Sequence, residues 1–309
     1  MEKNKPAYHN PALLRETLEG LNIQAGGKYV DATFGGGGHS RGILEKLGKK
    51  GRLYAFDRDA DAQINMIADE RLTLIHHEFI HLKNFLRYFD ALPADGILAD
   101  LGISSHHVDD AGRGFSFRFD APLDMRMDKQ SRVSAKDIVN EAPQERLQDI
   151  FSKYGEVQNA RTLSQAIVRK RKIQAIETTT DLAQIAQDVL PRKENLKKYL
   201  APVFQALRIE VNDELGGLKT FLLQATDVLK PGGRLAVITY HSLEDRIVKN
   251  FIAAGNFEGK TAQDIFGNAE TPLKAVTRKP ITPGEEEINT NPRSRSAKLR
   301  LAEKNQSHA

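Results

Sequence analysis

The sequence of 309 residues contains no cysteine, and no apolar run in it reaches the length of a transmembrane helix. Without cysteine the chain can form neither a disulfide scaffold nor a zinc site with cysteine ligands, which fits a reducing cytoplasm. The N-terminus, MEKNK, is charged and has no signal-peptide core behind it. The nine histidines lack the spacing of metal ligands. We therefore expect a cytoplasmic protein that has no membrane segment and no metal.

The composition is that of an ordinary globular protein in which positive charge is clustered. Hydrophobic residues make up 40% and charged residues 28%, and the length suits one large domain or two modest ones. The formal charge is only +4, but the sequence pI is about 9.0. Basic residues cluster at 169–172, 192–198 and 293–300. Together these clusters favour a phosphate-rich partner, although each of them alone is better explained as a solvated helix face.

Four consecutive glycines, residues 35–38, follow a strand-like run at 29–34 and precede a helix-like run at 40–47. Residues without Cβ let the backbone approach a ligand closely and adopt positive φ. The helix start behind them offers N–H groups that have no partner inside the helix. This is the geometry of a nucleotide-type site at the first βα turn of a doubly wound sheet. The alternative is a flexible glycine-rich loop, which the flanking strand and helix disfavour.

The second strand-like run, residues 52–57, ends at Asp57. A carboxylate at this place can accept hydrogen bonds from both hydroxyls of a ribose, and a helix cap is the alternative. The glycines lack the G-x-G-x-x-G spacing of dinucleotide sites and the Gly-Lys-Ser/Thr ending of a P-loop. The turn therefore suits an adenosine without pyrophosphate, and S-adenosyl-L-methionine is the common ligand of that kind. Asp31, at the end of the first strand, is placed to hold its amino-acid part through water or backbone.

Strand-like and helix-like runs alternate through the first hundred residues. A third strand is predicted at 72–77 and a fourth at 96–100. Such alternation implies a parallel sheet, whose ligands bind beyond the carboxyl ends of the strands. Polar side chains stand at each of these ends, namely Asp31, Asp57, His77 and Asp100.

The pattern changes after residue 108, where helical runs replace the alternation. Helices are predicted at 144–154, 159–173 and 180–190, the last beginning at the polar run 178–181. A long amphipathic helix with apolar residues from Val203 to Leu222 follows, and a strand at 234–240 returns the chain to the sheet. We predict an α/β, Rossmann-like methyltransferase sheet with an inserted all-α domain. The core would comprise residues 1–108 and 201–309, and the insertion, on the RNA side, residues 109–200.

Two strand ends carry residues suited to chemistry on an amine. Asp100 can hold an N–H of the target, which localises the amine lone pair, and can later take the proton. A cap of the next segment is its alternative role. Tyr240 and His241 follow the last strand, where an aromatic ring can stack on a base and a histidine can hydrogen-bond it. Ser242 is predicted to cap the following helix, with Asp245 at its third position.

The run DAPLDMRMD, residues 120–128, brings an arginine among acidic residues. A metal site is conceivable there. However, Arg126 between Asp124 and Asp128 favours salt bridges, so we predict no metal.

Eight stretches of the chain match one known family in the family's own order. They are His9-Asn10-Pro11, DATFGGGGHS (31–40), FDRD (56–59), ADLGISS (99–105), RGFSFRFDAPLDMRMD (113–128), FQALRIEVNDEL (204–215), GGRLAVITYHSLEDRIVK (232–249) and NPRSRSAKLR (291–300). In these stretches the chain resembles the MraW family of bacterial ribosomal RNA methyltransferases. The resemblance implies a cytoplasmic enzyme that transfers a methyl group from S-adenosyl-L-methionine to N4 of a cytidine in the decoding region of small-subunit ribosomal RNA. It also implies a helical domain inserted in the core.

The resemblance further implies which residues hold the donor. The corresponding positions are Gly37, Gly38, His39, Asp57, Phe79, Asp100 and His107. At His107 the family usually has glutamine. A neutral imidazole can still donate or accept a hydrogen bond there.

Two other functions are compatible with parts of the pattern. A nicotinamide-dependent oxidoreductase would need the spaced dinucleotide glycines, which are missing. A non-catalytic RNA-binding or ribosome-assembly protein on the same fold would be expected to have lost Asp57 or Asp100, and both are present. The sequence leaves open the oligomeric state, a homodimer included. It also leaves open whether free RNA or the assembled small subunit is the substrate, and which group removes the amine proton.

Overall fold

The computed structural model describes residues 11–103, 110–192, 194–260 and 271–306. The strands are β1 Lys28–Asp31, β2 Arg52–Asp57, β3 Leu72–His76, β4 Ala94–Asp100, β5 Leu229–Thr239, β6 Leu273–Ala275 and β7 Lys298–Lys304. The helices are α1 Leu14–Gly20, α2 Gly38–Lys46, α3 Leu82–Tyr88, α4 Ala135–Glu141, α5 Gln144–Gly155, α6 Ala160–Arg171, α7 Thr179–Asp188, α8 Leu196–Val211, α9 Glu214–Val228, α10 Ser242–Ala254 and α11 Glu285–Thr290. Two compact units emerge, a sheet unit of Met1–Gly102 with Gly216–Ala309 and a helical unit of Ile103–Leu215.

The sheet unit is built on seven strands in the order β3-β2-β1-β4-β5-β7-β6. Strands β1 to β5 are parallel, whereas β7 runs antiparallel to both of its neighbours. The reversed strand separates this sheet from the all-parallel dinucleotide-binding order. Because β1, β2 and β4 point the same way, their carboxyl ends bring Asp31, Asp57 and Asp100 to one edge.

Successive residues of the inner strands face opposite sides of the sheet, as the two-residue period of a strand requires. In β1, Tyr29 packs with apolar residues of α1 and α2, and its neighbour Val30 packs with those of α3, α9 and α10. The unit therefore has a helix layer on each face of the sheet. This confirms the α/β class predicted from the alternating runs.

The helical unit has its own apolar core, to which α4 to α8 all contribute. Capping boxes begin two of these helices, with Ser134 and Asp137 at α4 and Thr178 and Asp181 at α7. The predicted helix start at 178–181 is therefore confirmed. Within the described ranges no helix has the length and apolar character needed to cross a membrane.

The prediction of one long helix through Leu222 is wrong, because the chain breaks between α8 and α9. Asn212 uses its amide to hold a neighbouring loop: Nδ2 donates to the carbonyl of Met125, and Oδ1 accepts the N–H of Met127 at 2.8 Å. Asp213 follows with φ of 43°, outside the helical region. Since α8 packs in the helical unit, the units divide at 102/103 and 215/216, instead of near residues 108 and 200.

Candidate active site

The glycine turn is fixed through both backbone groups of Gly35. Its N–H donates to Asp57 Oδ2 at 2.7 Å, and its carbonyl accepts from Asn65 Nδ2 at 3.0 Å. The other carboxylate oxygen of Asp57 accepts the N–H of Asp59 at 2.9 Å. Among the described residues, a Cβ at Gly35 would have one neighbour within 4 Å, the Thr33 carbonyl at 3.9 Å. The predicted ribose acceptor and the glycine turn are thus one assembly.

The last two glycines of the turn, Gly37 and Gly38, are required by contacts inside the protein. Gly37 has φ of +72°, and a Cβ there would lie 3.0 Å from the ring of Phe34. A Cβ at Gly38, the first residue of α2, would lie 2.9 Å from the ring of Pro11. Gly37 and Gly38 can therefore contact the donor only through their backbone groups. That they contact the donor at all stays a prediction.

Asp31 stabilises the turn from within. Its side chain is fully buried, Oδ2 accepts the Ser40 hydroxyl at 2.7 Å, and Oδ1 accepts the N–H of Thr33 at 3.1 Å. Burial raises the pKa of this carboxyl to about 6. Since no part of the side chain reaches the surface, the predicted role of Asp31 in holding the donor would have to go through the backbone, and it stays a prediction.

Asp100, at the end of β4, lies between two other predicted site residues. Oδ1 accepts the Tyr240 hydroxyl at 2.8 Å, and Oδ2 lies 3.6 Å from Nδ1 of His39. The Asp100 side chain remains 21% exposed, so the carboxylate is open to a substrate. Burial raises its pKa to about 6, whereas a protonated His39 and the Tyr240 hydroxyl lower it. Burial and the neighbouring Asp100 raise the pKa of Tyr240, which therefore stays a phenol and a donor.

His39 is the second residue of α2, and its ring is 5% exposed. The Nε2 atom lies 3.1 Å from the carbonyl oxygen of Ala12. Burial lowers the pKa of the imidazole, so the ring is neutral near pH 7. The structure thus brings His39, Asp100 and Tyr240 together from three different parts of the chain.

His241, rather than Ser242, is the cap of α10, so the predicted Ser242 cap is wrong. Nδ1 of His241 accepts the N–H of Glu244 at 3.4 Å, and Glu244 Oε2 accepts the N–H groups of Tyr240 and His241. The third helical position is therefore Glu244 instead of Asp245. Nε2 of His241 lies 3.3 Å from Glu244 Oε1 but without the angle of a hydrogen bond. A role of His241 in holding a base stays a prediction.

Phe79 begins the short 3-10 turn Phe79–His81 that follows β3. Its ring is half-buried and meets Phe221 edge to face, with 5.2 Å between the centroids. His77 follows the end of β3, which stops at His76 instead of the predicted residue 77, and its ring packs against His81 and Phe85. The predicted donor contact at His107 lies outside the described residues.

The run around Arg126 forms the expected salt bridge. Its guanidinium donates to both oxygens of Asp124, at 2.8 and 2.7 Å, and to the carbonyl of Ser131. Asp128 Oδ1 accepts the N–H of Gln130 at 2.8 Å. This run is therefore a structural element of the helical unit.

The donor set fits S-adenosyl-L-methionine better than a phosphate ligand. Asp57 offers a carboxylate, which suits ribose hydroxyls and repels a pyrophosphate. The nearby cation Arg41 has its Nη1 bonded to the Gly36 carbonyl, as part of the turn itself. When bound, S-adenosyl-L-methionine supplies a methyl group that is already activated by its positively charged sulfur.

The reversed seventh strand, the glycine turn and the acidic strand ends define an S-adenosyl-L-methionine-dependent methyltransferase. The model of the MraW methylase family matches residues 6–305. The chain belongs to that family, which confirms the resemblance seen in the motifs.

Curated relatives match over almost the whole chain. Ribosomal RNA small subunit methyltransferase H of Bacteroides fragilis is 56% identical over 304 residues, covering 98% of this chain and 100% of the relative. The protein of the same name from Flavobacterium johnsoniae is 52% identical over 297 residues, covering 96% and 98%. A solved rRNA methylase from Streptococcus thermophilus covers 94% of this chain and 93% of its own, with a TM-score of 0.40 and 13% identity.

Proposed function

We propose that this protein transfers a methyl group to N4 of a cytidine in the decoding region of small-subunit ribosomal RNA, and that it does so in the cytoplasm. The names of the relatives support a ribosomal RNA substrate. The observation that carries the choice of an amino group is the Asp100 carboxylate, partly exposed at the strand edge and held by the Tyr240 hydroxyl.

A carboxylate in this position solves the main difficulty of the reaction. The N4 lone pair of cytosine is delocalised into the ring, so the amine is a poor nucleophile. Asp100 can accept an N–H of the amine, which orients the nitrogen and localises its lone pair. The same carboxylate can then take the proton that methylation makes acidic. With a pKa of about 6, Asp100 is ionised and ready to accept at neutral pH.

Methylation at carbon 5 of cytosine is a less suitable reaction for this chain. That carbon becomes nucleophilic only after a nucleophile such as a cysteine thiolate adds to the neighbouring carbon 6. The sequence contains no cysteine, so this covalent route is excluded.

The helical unit offers a cavity suited to one nucleotide of the RNA. The cavity has a volume of about 550 Å³ and is lined by Phe117, Arg118 and Lys197. The ring of Phe117 packs edge to face on Phe204, and among the described residues Arg118 and Lys197 have no ion-pair partner. An aromatic ring beside two cations fits a base and its phosphates. This supports the helical unit as an RNA-binding side.

The basic clusters divide into residues available to RNA and residues used in packing. Arg169, Lys170 and Lys172 are exposed, whereas Arg171 donates to the carbonyls of Val139 and Ala142 at 2.9 and 2.8 Å. In the C-terminal cluster, Arg300 binds both oxygens of Asp245 and belongs to the sheet. These packed arginines should contribute less to RNA binding than the exposed residues.

Nucleoside analysis tests the proposed reaction. The protein is incubated with labelled donor and small ribosomal subunits, and the RNA is digested and separated. Labelled N4-methylcytidine from the decoding region is the expected product. Labelled 5-methylcytidine, or label on a ribose, would contradict the proposal. RNA binding without transfer of label would favour the alternative, a non-catalytic RNA-binding or assembly protein.

The cavity is tested with the double variant Arg118→Ala/Lys197→Ala. If both cations contact phosphates, RNA affinity should fall and its logarithmic salt slope should decrease by about 1.4, roughly 0.7 for each lost contact. The matched control is Lys153→Ala, because Lys153 is an exposed cation of the same unit that is paired with Asp149. Equal RNA affinity and salt slope in both variants would refute a nucleotide site in this cavity.

A further inference from the structure

The ring of His39 has a neighbour at each nitrogen, and these neighbours determine where its hydrogen lies. Nε2 is 3.1 Å from the Ala12 carbonyl oxygen, which can only accept. The hydrogen of the neutral ring therefore sits on Nε2, and Nδ1 keeps a lone pair. That lone pair faces Asp100 Oδ2 at 3.6 Å, a distance that fits two acceptors with no proton between them.

The Ala12 carbonyl is itself held in place by a distant contact. The next residue, Leu13, has φ of 51° although it is not a glycine. Its N–H donates to Glu287 Oε1 at 2.9 Å, which ties this segment to α11. A residue in this conformation persists when surrounding contacts determine it. The acceptor that sets the His39 tautomer is therefore a fixed part of the fold.

The groups around the pair leave Oδ2 as the place for an additional proton. Oδ1 of Asp100 already accepts the Tyr240 hydroxyl at 2.8 Å. The other groups that act on Asp100 are acidic, namely Asp31 from β1 and Glu244 from α10. Glu287 from α11 acts on Tyr240 in the same sense. His39 is therefore the neighbour that can accept a hydrogen bond from a protonated Asp100 without carrying a charge.

We propose that His39 is a positioning residue that acts through Asp100. The amine proton released by methylation is taken up by Asp100 Oδ2 and held there by a hydrogen bond to Nδ1 of His39. The N–H bond breaks with its electron pair left on the methylated nitrogen, and an O–H bond forms on Asp100. No further reactant is required. The proposal rests on the proposed amino-group methylation. It adds a specific function for the side chain of His39 to the donor contact that the family resemblance implies at this position.

Two substitutions separate this function from packing. His39→Gln can keep a donor for the Ala12 carbonyl, since the glutamine amide reaches the position of Nε2, but it removes the Nδ1 lone pair. His39→Asn removes the bond to Ala12 and places a non-titrating amide near Asp100. Donor affinity and thermal unfolding of each variant report whether the turn is intact.

The tautomer is measured directly in the full-length protein without substrate. Nitrogen NMR of the histidine-labelled protein at pH 7 should show a ring, absent in His39→Gln, with hydrogen on Nε2 and none on Nδ1. A hydrogen on Nδ1 would overturn the proposal. Because this experiment involves no RNA, its result does not depend on the product of the reaction.

The pH profile of single-turnover methyl transfer tests the function. In the wild-type protein the rate should rise with pH through a midpoint near 6, as Asp100 ionises. The lone pair of His39 stabilises protonated Asp100, so His39→Gln should move this midpoint to lower pH and lower the plateau rate by roughly tenfold. An unchanged midpoint, or one at higher pH, would overturn the proposal. A product other than N4-methylcytidine would refute the proposed function instead.

Discussion

Removal of the Asp57 carboxylate should weaken donor binding more than removal of any other single contact to the glycine turn. In Asp57→Ala the ribose hydroxyls lose their charged acceptor, and Gly35 loses the partner of its N–H at 2.7 Å. The variant therefore combines two effects, one on the ligand and one on the turn. They can be separated because Gly35 has a second restraint, its carbonyl bond to Asn65 at 3.0 Å.

The expected magnitudes follow from the kinds of bond that are lost. A hydrogen bond to a charged acceptor contributes about 1.5–3 kcal/mol, which corresponds to a donor Kd weakened by about 10- to 150-fold. Asn65→Ala removes a neutral bond of about 0.5–1.5 kcal/mol from the same glycine. Even if all of it were lost from binding, the Kd would weaken by at most about tenfold. Asp57→Ala should therefore exceed Asn65→Ala clearly.

Calorimetric titration of the folded variants with S-adenosyl-L-methionine measures both effects under the same conditions. Unfolding curves of each variant show whether the sheet unit remains intact. Equal donor affinities for Asp57→Ala and Asn65→Ala would mean that Asp57 stabilises the glycine turn and does not bind the ribose. An affinity of Asp57→Ala equal to wild type would refute the ribose assignment altogether.

Three further variants test the local physics. Gly38→Ala places a Cβ 2.9 Å from the Pro11 ring, so it should destabilise the protein by about 1–3 kcal/mol. Its control is Gly26→Ala, whose Cβ would meet no atom of the described residues within 4 Å, and equal unfolding midpoints for the two variants would contradict the expectation. The pKa of Asp31 is raised from 3.8 to about 6, so the wild type loses stability as pH rises through this window. Asp31→Asn should therefore gain stability relative to wild type from pH 4 to pH 7 in urea unfolding, and a constant difference would contradict the raised pKa. Asp90→Gly should stabilise the protein by roughly 0.5–1 kcal/mol, because Asp90 is exposed with φ of 51° directly after α3; a lower unfolding midpoint would refute the strain.

The sequence predicted correctly those features that are formed by a few consecutive residues. The glycine turn, the strand ends at Asp57 and Asp100, and the start of α7 at Thr178 each depend on a few consecutive residues. Period, turn chemistry and capping are local properties, so a single sequence reveals them. The family motifs extended this to the class of enzyme.

Contacts between distant residues were not predictable from local patterns. Asp100 contacts His39 and Tyr240, which lie 61 and 140 positions away in the sequence. The residues around these three positions contain no local pattern that predicts the contacts. The break between α8 and α9 contains neither glycine nor proline, so the sequence carries no local signal for it. The break depends instead on the bonds of Asn212 to a loop more than 80 residues earlier. The cap of α10 was predicted at Ser242 because serine is a common capping residue. In the structure Glu244 stands at the third helical position and completes a capping box with His241 instead.

Single-turnover methyl transfer by Asp100→Asn tests the central claim most directly. Asparagine keeps the size and one acceptor but cannot take the amine proton. The rate should therefore fall by roughly 100-fold or more, with RNA affinity little changed. Asp95→Asn, a matched change at the opposite end of the same strand, should retain the wild-type rate. A rate near wild type for Asp100→Asn would show that this carboxylate is not the acceptor of the amine.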